Sequence, residues 1–152
     1  QAERKKSIKY KLVPQELEIR DKKVMIMDDS IVRGNTSREI VRMLRDFGAK
    51  KVYFSVACPP VKSPCFYGVD MPTKSELIAG NLTEDEIQAY LKVDALLYQK
   101  IDDLVEAVTR KGDHHIDTPC MACLDGNYVA NDIDDAKIAE METMRTNDRN
   151  GG

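Results

Sequence analysis

The stretch from Val24 to Ser37 limits the possible folds more than any other part of the sequence. Val24-Met25-Ile26-Met27 is a continuous apolar run, too short for a buried helix and typical of a central strand in a parallel sheet. It ends in Asp28-Asp29-Ser30 and passes through Ile31-Val32-Arg33-Gly34-Asn35. Thr36 and Ser37 then offer N-cap hydroxyls, and Ile40, Val41, Met43, Leu44 and Phe47 recur at helical spacing until Gly48 supplies a stop. A strand turning through a glycine-containing loop straight into a helix commits the chain to an α/β layer. Met25, Met27 and Met43 read as core packing on that strand and helix.

The pattern continues. Val52-Tyr53-Phe54-Ser55-Val56-Ala57 is a second apolar strand, stopping at Cys58-Pro59-Pro60, so strand, helix and strand form a crossover unit. Thr73 to Ala79 and Thr83 to Lys92 predict short helices, the second opened by a hydroxyl cap and an acidic first turn. Ala95-Leu96-Leu97-Tyr98 predicts a strand and Ile101 to Thr109 a helix. Lys111 to His115 is a turn-rich break, Cys120 to Tyr128 is loop-like, Asp135 to Met144 predicts a helix, and Asn147 to Gly152 should fray.

Three regions follow: a basic opening over residues 1–20, an α/β core over 21–112 and a cysteine-containing extension over 113–152. The chain opens Gln-Ala-Glu-Arg instead of Met and is expected to be a piece of something longer. A parallel sheet without its earlier strands would expose an edge and an apolar face, and aggregation of the isolated chain is expected.

Charge narrows the function. With 23 Lys+Arg against 26 Asp+Glu and a net charge of -3, the chain lacks the basic excess of a nucleic-acid-coating domain. No stretch approaches the roughly 20 apolar residues of a membrane helix, so a cytoplasmic protein is expected. Asn81-Leu82-Thr83 fits a glycosylation sequon without secretory context, and the adjacent His114 and His115 are assigned no role.

In an open α/β sheet ligands lie beyond the carboxyl ends of the strands, where Ser30 to Ser37 falls. Such a turn can aim several backbone N–H groups and the positive helix end at one phosphate. Gly34 removes side-chain bulk, and Thr36 and Ser37 add hydroxyl donors. The loop has neither the Gly-Lys-Ser/Thr ending of a nucleoside-triphosphatase nor a G-x-G-x-x-G. Asp28 and Asp29 stand where two carboxylates could accept hydrogen bonds from vicinal sugar hydroxyls, and phosphate plus diol describes a ribose 5-phosphate. Asp-Asp alone would more often only end a strand; the ordered sequence of strand, acidic pair, glycine and hydroxyls favours a site.

Val24 to Ser37 resembles the phosphoribosyl pyrophosphate (PRPP) signature of the type I phosphoribosyltransferases. With Lys6-Ser7-Ile8-Lys9, Gly48-Ala49-Lys50-Lys51-Val52-Tyr53, Pro64-Cys65-Phe66-Tyr67-Gly68-Val69-Asp70 and Glu76-Leu77-Ile78-Ala79, the chain is similar to the amidophosphoribosyltransferases from about Gln1 to Tyr128. The resemblance implies part of a type I phosphoribosyltransferase fold: a Rossmann-like parallel sheet with flanking helices, followed by a C-terminal loop and helix. It also implies the first committed step of purine synthesis, in which glutamine-derived ammonia attacks PRPP and expels pyrophosphate to give 5-phosphoribosylamine. Asp28, Asp29, Ser30, Ile31, Val32, Arg33, Gly34, Asn35, Thr36 and Ser37 would bind PRPP, with magnesium at Asp28 and Asp29. Arg4, Lys5, Lys6 and Lys9 would belong to a flexible loop closing over it. Asn35 departs from the Thr frequent in the family. Purine nucleotides as feedback inhibitors and a homotetramer are further implications. The glutaminase domain and pyrophosphate loop would lie upstream, so the chain alone is expected to be inactive.

Cys65 followed by Cys120-Met121-Ala122-Cys123 resembles the subgroup carrying a 4Fe-4S cluster, with the fourth ligand upstream. On chemistry alone Cys58 could instead complete a four-thiolate zinc site. A non-catalytic module sensing PRPP or a nucleotide is the alternative function, though it would have no reason to keep this cysteine arrangement.

Overall fold

In a computed structural model of the protein, residues 14–110, 118–130 and 133–150 are described. The basic opening at Arg4, Lys5, Lys6 and Lys9 and the pair His114 and His115 lie outside them. A four-residue helix α1 (Glu16–Ile19) leads into strand β1 (Lys23–Asp28), helix α2 (Asn35–Asp46) and strand β2 (Lys51–Val56). A 3-10 turn (Lys74–Glu76), α3 (Ile78–Asn81) and α4 (Glu84–Leu91) precede strand β3 (Ala95–Tyr98) and helix α5 (Ile101–Thr109). The extension carries α6 (Ala122–Asp125) and α7 (Asp135–Asn150).

The strands form one parallel sheet in the order β1-β2-β3, with Val24 opposite Val52 and Phe54 opposite Leu96. This is the expected α/β layer with flanking helices. On β2 the side chains alternate, and Val52, Phe54 and Val56 are almost wholly buried. They pack with Val41 and Leu44 of α2 and Ile87 and Leu91 of α4, the main core. α4 is held at its start by a reciprocal Thr83–Glu86 capping box, with the Glu86 backbone N–H donating to Thr83 Oγ1 and the Thr83 N–H to Glu86 Oε2. Gly48, in the left-handed region, follows α2 as expected.

Two methionines contradict the sequence expectation. Met25 and Met27 are 56% and 78% exposed, so they are not core residues, whereas Met43 is half-buried. Apolar runs match a strand covered on both faces, but among the described residues helices cover one face only. Met25, Met27 and Leu97 lie on the other, and β1 is an edge of the sheet. Two expectations about helices also change. The segment Cys120 to Tyr128 contains the short helix α6, ended by Gly126 at φ 82°. The last helix runs on to Asn150 instead of fraying from Asn147.

A second cluster lies beyond the C-terminal ends of the strands. Val61, Leu77 and Leu124 form its centre, with Val32, Cys58, Met121 and Cys123 packed against it. At the end of β3, the enclosed Tyr98 hydroxyl has no hydrogen-bond partner among the described residues. Burial, then the charges of Glu84 and Cys58, push its pKa up to about 12. The folded chain therefore keeps a proton that the unfolded chain releases near pH 10. This contribution is fully present below about pH 10 and is lost as the pH rises toward 12. Because a buried hydroxyl without a partner opposes folding, Tyr98→Phe should leave stability unchanged or raise it by up to about 1 kcal/mol at neutral pH. Urea unfolding checks this; a loss larger than that would contradict it.

Candidate phosphate and diol site

The end of β1 is fixed by its neighbour. Ala57 N–H donates to Asp28 O at 3.0 Å and Cys58 N–H to Asp29 O at 2.9 Å, so the acidic pair is held by backbone, and both residues line the cleft. Asp29 N–H donates to Asp28 Oδ1 at 3.0 Å and Ser30 Oγ to Asp29 Oδ1 at 3.2 Å. Free carboxylate lone pairs remain for further donors.

Gly34 then turns the chain into α2 at φ 72°, ψ -5°. It, not Thr36 or Ser37, is the N-cap residue, and no side chain caps the helix. Thr36 and Ser37 sit inside the first turn, because a left-handed glycine starts the helix at least two residues earlier than hydroxyl capping would. An ideal Cβ at Gly34 would stand 2.7 Å from Ile78 Cδ1 and 3.3 Å from Tyr90 Cε1. The uncapped N–H groups at this end have no side-chain acceptor among the described residues, which leaves a concentration of donors for an anion.

Asp28, Asp29, Ser30, Val32, Arg33, Gly34, Asn35, Thr36 and Ser37 line one open cleft of about 1040 Å³. Ile31, which the sequence placed among them, sends its side chain into the core at 2% exposure. Its possible contact with a ligand is through backbone only. Asp28, Asp29 and the helix start thus line a cleft whose volume exceeds that of a phosphorylated sugar.

Two side chains that hold this loop, Glu76 and Tyr90, were not assigned to it from the sequence. Glu76 Oε1 accepts from Arg33 Nε at 3.0 Å and lies 2.9 Å from Arg33 NH2, while its Oε2 accepts from Thr73 N–H at 3.1 Å. Ile78 N–H donates to Val32 O at 2.9 Å, so the segment after Thr73 braces the loop at two consecutive residues. Tyr90 Oη donates to Asn35 Oδ1 at 3.2 Å. Both partners are remote in sequence, and no local spacing signals them.

The cysteines lie at the far side of Leu77. Lys62 and Ser63 N–H groups donate to Cys123 O at 2.9 and 3.0 Å. Tyr128 Oη donates to Pro64 O at 2.7 Å, its ring lies tilted at 47° with its centroid 5.2 Å from that of Phe66, and Arg145 NH2 donates to Cys65 O at 3.1 Å. These contacts draw the Cys65 loop to the Cys120–Cys123 segment. Burial pushes the Cys123 thiol up, with Cys65 adding to it and Cys120 contributing less. Cys58 is likewise raised by burial, then by Cys123 and Asp29. All four thiols are free, and among the described residues no three potential ligands converge closely enough to hold a metal ion. The donor set suits a soft metal centre in kind, and its thiols are neighbours, but it is not gathered around one point.

No protein-family model matches the chain. It is 46% identical over 145 residues to the amidophosphoribosyltransferase of Pseudomonas aeruginosa, covering 95% of this chain and 29% of that protein. The amidophosphoribosyltransferase of Methanothermobacter thermautotrophicus is 42% identical over 147 residues, covering 96% and 30%. Among solved structures, glutamine PRPP amidotransferase from B. subtilis, complexed with ADP and GMP, superposes with a TM-score of 0.70 at 36% identity. It covers 85% of this chain and 30% of that one. The chain thus spans about 30% of the length of the relatives it matches.

Proposed function

Because this chain belongs to the amidophosphoribosyltransferases as a segment of their phosphoribosyltransferase fold, we propose that its cleft binds the ribose 5-phosphate part of PRPP. In the longer enzyme the segment would serve transfer of glutamine-derived ammonia to PRPP, giving 5-phosphoribosylamine and pyrophosphate in the first committed step of purine synthesis. The observation that carries this reading is the placing of two backbone-anchored carboxylates and an uncapped, glycine-led helix start in one cleft.

Asp28 and Asp29 accept hydrogen bonds from the ribose hydroxyls, fixing the ring. Backbone N–H groups around Gly34 to Ser37, with the Thr36 and Ser37 hydroxyls, hold the 5-phosphate. With both ends of the sugar fixed, the anomeric carbon is presented to the incoming amine. Magnesium, when bound, offsets the charge of the departing pyrophosphate. Asp28 and Asp29 are the residues in this chain that would hold it. The basic segment at Arg4, Lys5, Lys6 and Lys9 would close over the ligand and exclude water, which competes with ammonia for an oxocarbenium-like centre.

Cys65, Cys120 and Cys123 would supply three thiolates to a 4Fe-4S cluster, with a fourth from sequence outside this chain; zinc, with Cys58 completing a four-thiolate site, is the alternative. Feedback by purine nucleotides, a homotetramer and a cytoplasmic location belong to the same reading. The three regions, 1–20, 21–112 and 113–152, would act as closing loop, phosphoribosyl-binding core and cysteine-bearing extension.

A titration with ribose 5-phosphate, followed by 31P NMR, tests the site. Saturable movement of the phosphate resonance is expected, and arabinose 5-phosphate, with the C2 hydroxyl inverted, should bind about tenfold more weakly because one carboxylate contact is lost. Equal binding of the two sugars would contradict the diol role of Asp28 and Asp29.

A further inference from the structure

Tyr90 lies on α4, 55 residues beyond the loop it touches. Its ring borders Gly34, and the guanidinium of Arg38 stands 4.7 Å over its face. Its hydroxyl donates to Asn35 Oδ1 at 3.2 Å. Asn35, Arg38 and Tyr90 all line the cleft that contains Asp28 and Asp29.

Asn35 is the first residue of α2, directly after Gly34, where a phosphate would meet the helix start. Its amide has two arms of opposite character: the oxygen accepts, and the nitrogen donates. A threonine hydroxyl at this position could rotate to donate to an anion, but an amide turned the wrong way presents a repelling oxygen. Here the phenol engages the oxygen, and the Nδ2 arm has no partner among the described residues.

We propose that Tyr90 is a positioning residue for the 5-phosphate: its hydroxyl fixes the Asn35 amide so that the NH2 arm faces the phosphate. This rests on the phosphoribosyl reading above and adds to it a residue that neither the signature nor the spacing contains. Tyr90 also holds Arg38 across its ring, which keeps a cation on the same side of the helix start.

The test is calorimetric titration of the full 152-residue chain with ribose 5-phosphate, using wild type, Tyr90→Phe, Asn35→Ala, their double variant and Asn35→Asp. Tyr90→Phe should weaken binding about fivefold and Asn35→Ala about tenfold or more. The double variant should be no weaker than Asn35→Ala within twofold, because Tyr90 acts through Asn35. Asn35→Asp can still accept from Tyr90 but cannot donate, and it should lose binding more severely than Asn35→Ala at an unchanged melting temperature. Asn35→Asp would repel the phosphate on either account, whereas a purely structural role for the pair would leave Tyr90→Phe binding like wild type. That result, or an undiminished Tyr90→Phe effect in the Asn35→Ala background, would overturn the proposal. Failure of the folded wild type to bind ribose 5-phosphate would overturn the phosphoribosyl reading and this proposal together, whereas wild-type binding with either variant result overturns Tyr90's role alone.

Discussion

Gly34→Ala is expected to weaken ribose 5-phosphate binding at least tenfold and to lower stability by about 2 kcal/mol or more. Two effects combine. At φ 72° a residue with a Cβ pays for the left-handed backbone, and the added carbon would stand 2.7 Å from Ile78 Cδ1, closer than carbon atoms approach. Ile78 is 8% exposed and packed in the main core, and Tyr90 Cε1 stands 3.3 Å from the same point, so the terminal methyl can turn aside only by disturbing its neighbours. Part of the strain therefore falls on the loop, which re-aims the N–H groups at the start of α2. Gly68 is the comparison for backbone strain without a clash: at φ 111° it lies farther from the left-handed minimum than Gly34, but nothing stands within 4 Å of an added Cβ. Because Gly68 is not among the residues lining the cleft, Gly68→Ala should leave ribose 5-phosphate binding unchanged whatever it costs in urea unfolding. Gly34→Ala binding like wild type would show that the loop geometry does not hold the ligand.

Leu77→Ala should destabilise the chain by about 3 kcal/mol, within the usual range for a buried leucine. Leu77 is fully buried at the centre of the second cluster, against Val61 and Leu124. Its neighbours on either side are two of the residues that grip the phosphate loop, Glu76 on Arg33 and Ile78 on Val32. Truncation leaves a cavity between the cysteine-bearing segment and that brace, so weaker ribose 5-phosphate binding should accompany the lost stability. Chemical denaturation with an unchanged slope would measure the first effect. A loss below about 1 kcal/mol would mean that the cluster collapses around the smaller residue.

The parts legible in the sequence are those whose cause is local. β3 and α5 follow their periodicity to the residue, and α4 follows its capping box. The loop from Asp28 to Ser37 could be identified because strand, acidic pair, glycine and helix follow one another directly. Other features depend on what the chain packs against. Met25 and Met27 look buried in a one-dimensional pattern, and only the one-sided covering of the sheet exposes them. Thr36 and Ser37 are good N-cap residues by type, but Gly34 takes the position through its left-handed backbone. Glu76 and Tyr90 reach the loop from 43 and 55 residues away, a pairing no spacing rule contains.

The central claim is that Asp28 and Asp29 with the Gly34 loop form one phosphoribosyl site. Calorimetric titration of the chain with PRPP and magnesium, beside the double variant Asp28→Asn, Asp29→Asn, tests it most directly. Amides of the same shape keep the strand end but remove both negative charges, so binding by wild type and its loss by 100-fold or more in a folded double variant are expected, as for charged contacts of about 1.5–3 kcal/mol each. Equal binding by the two proteins, or none by the folded wild type, would contradict the claim.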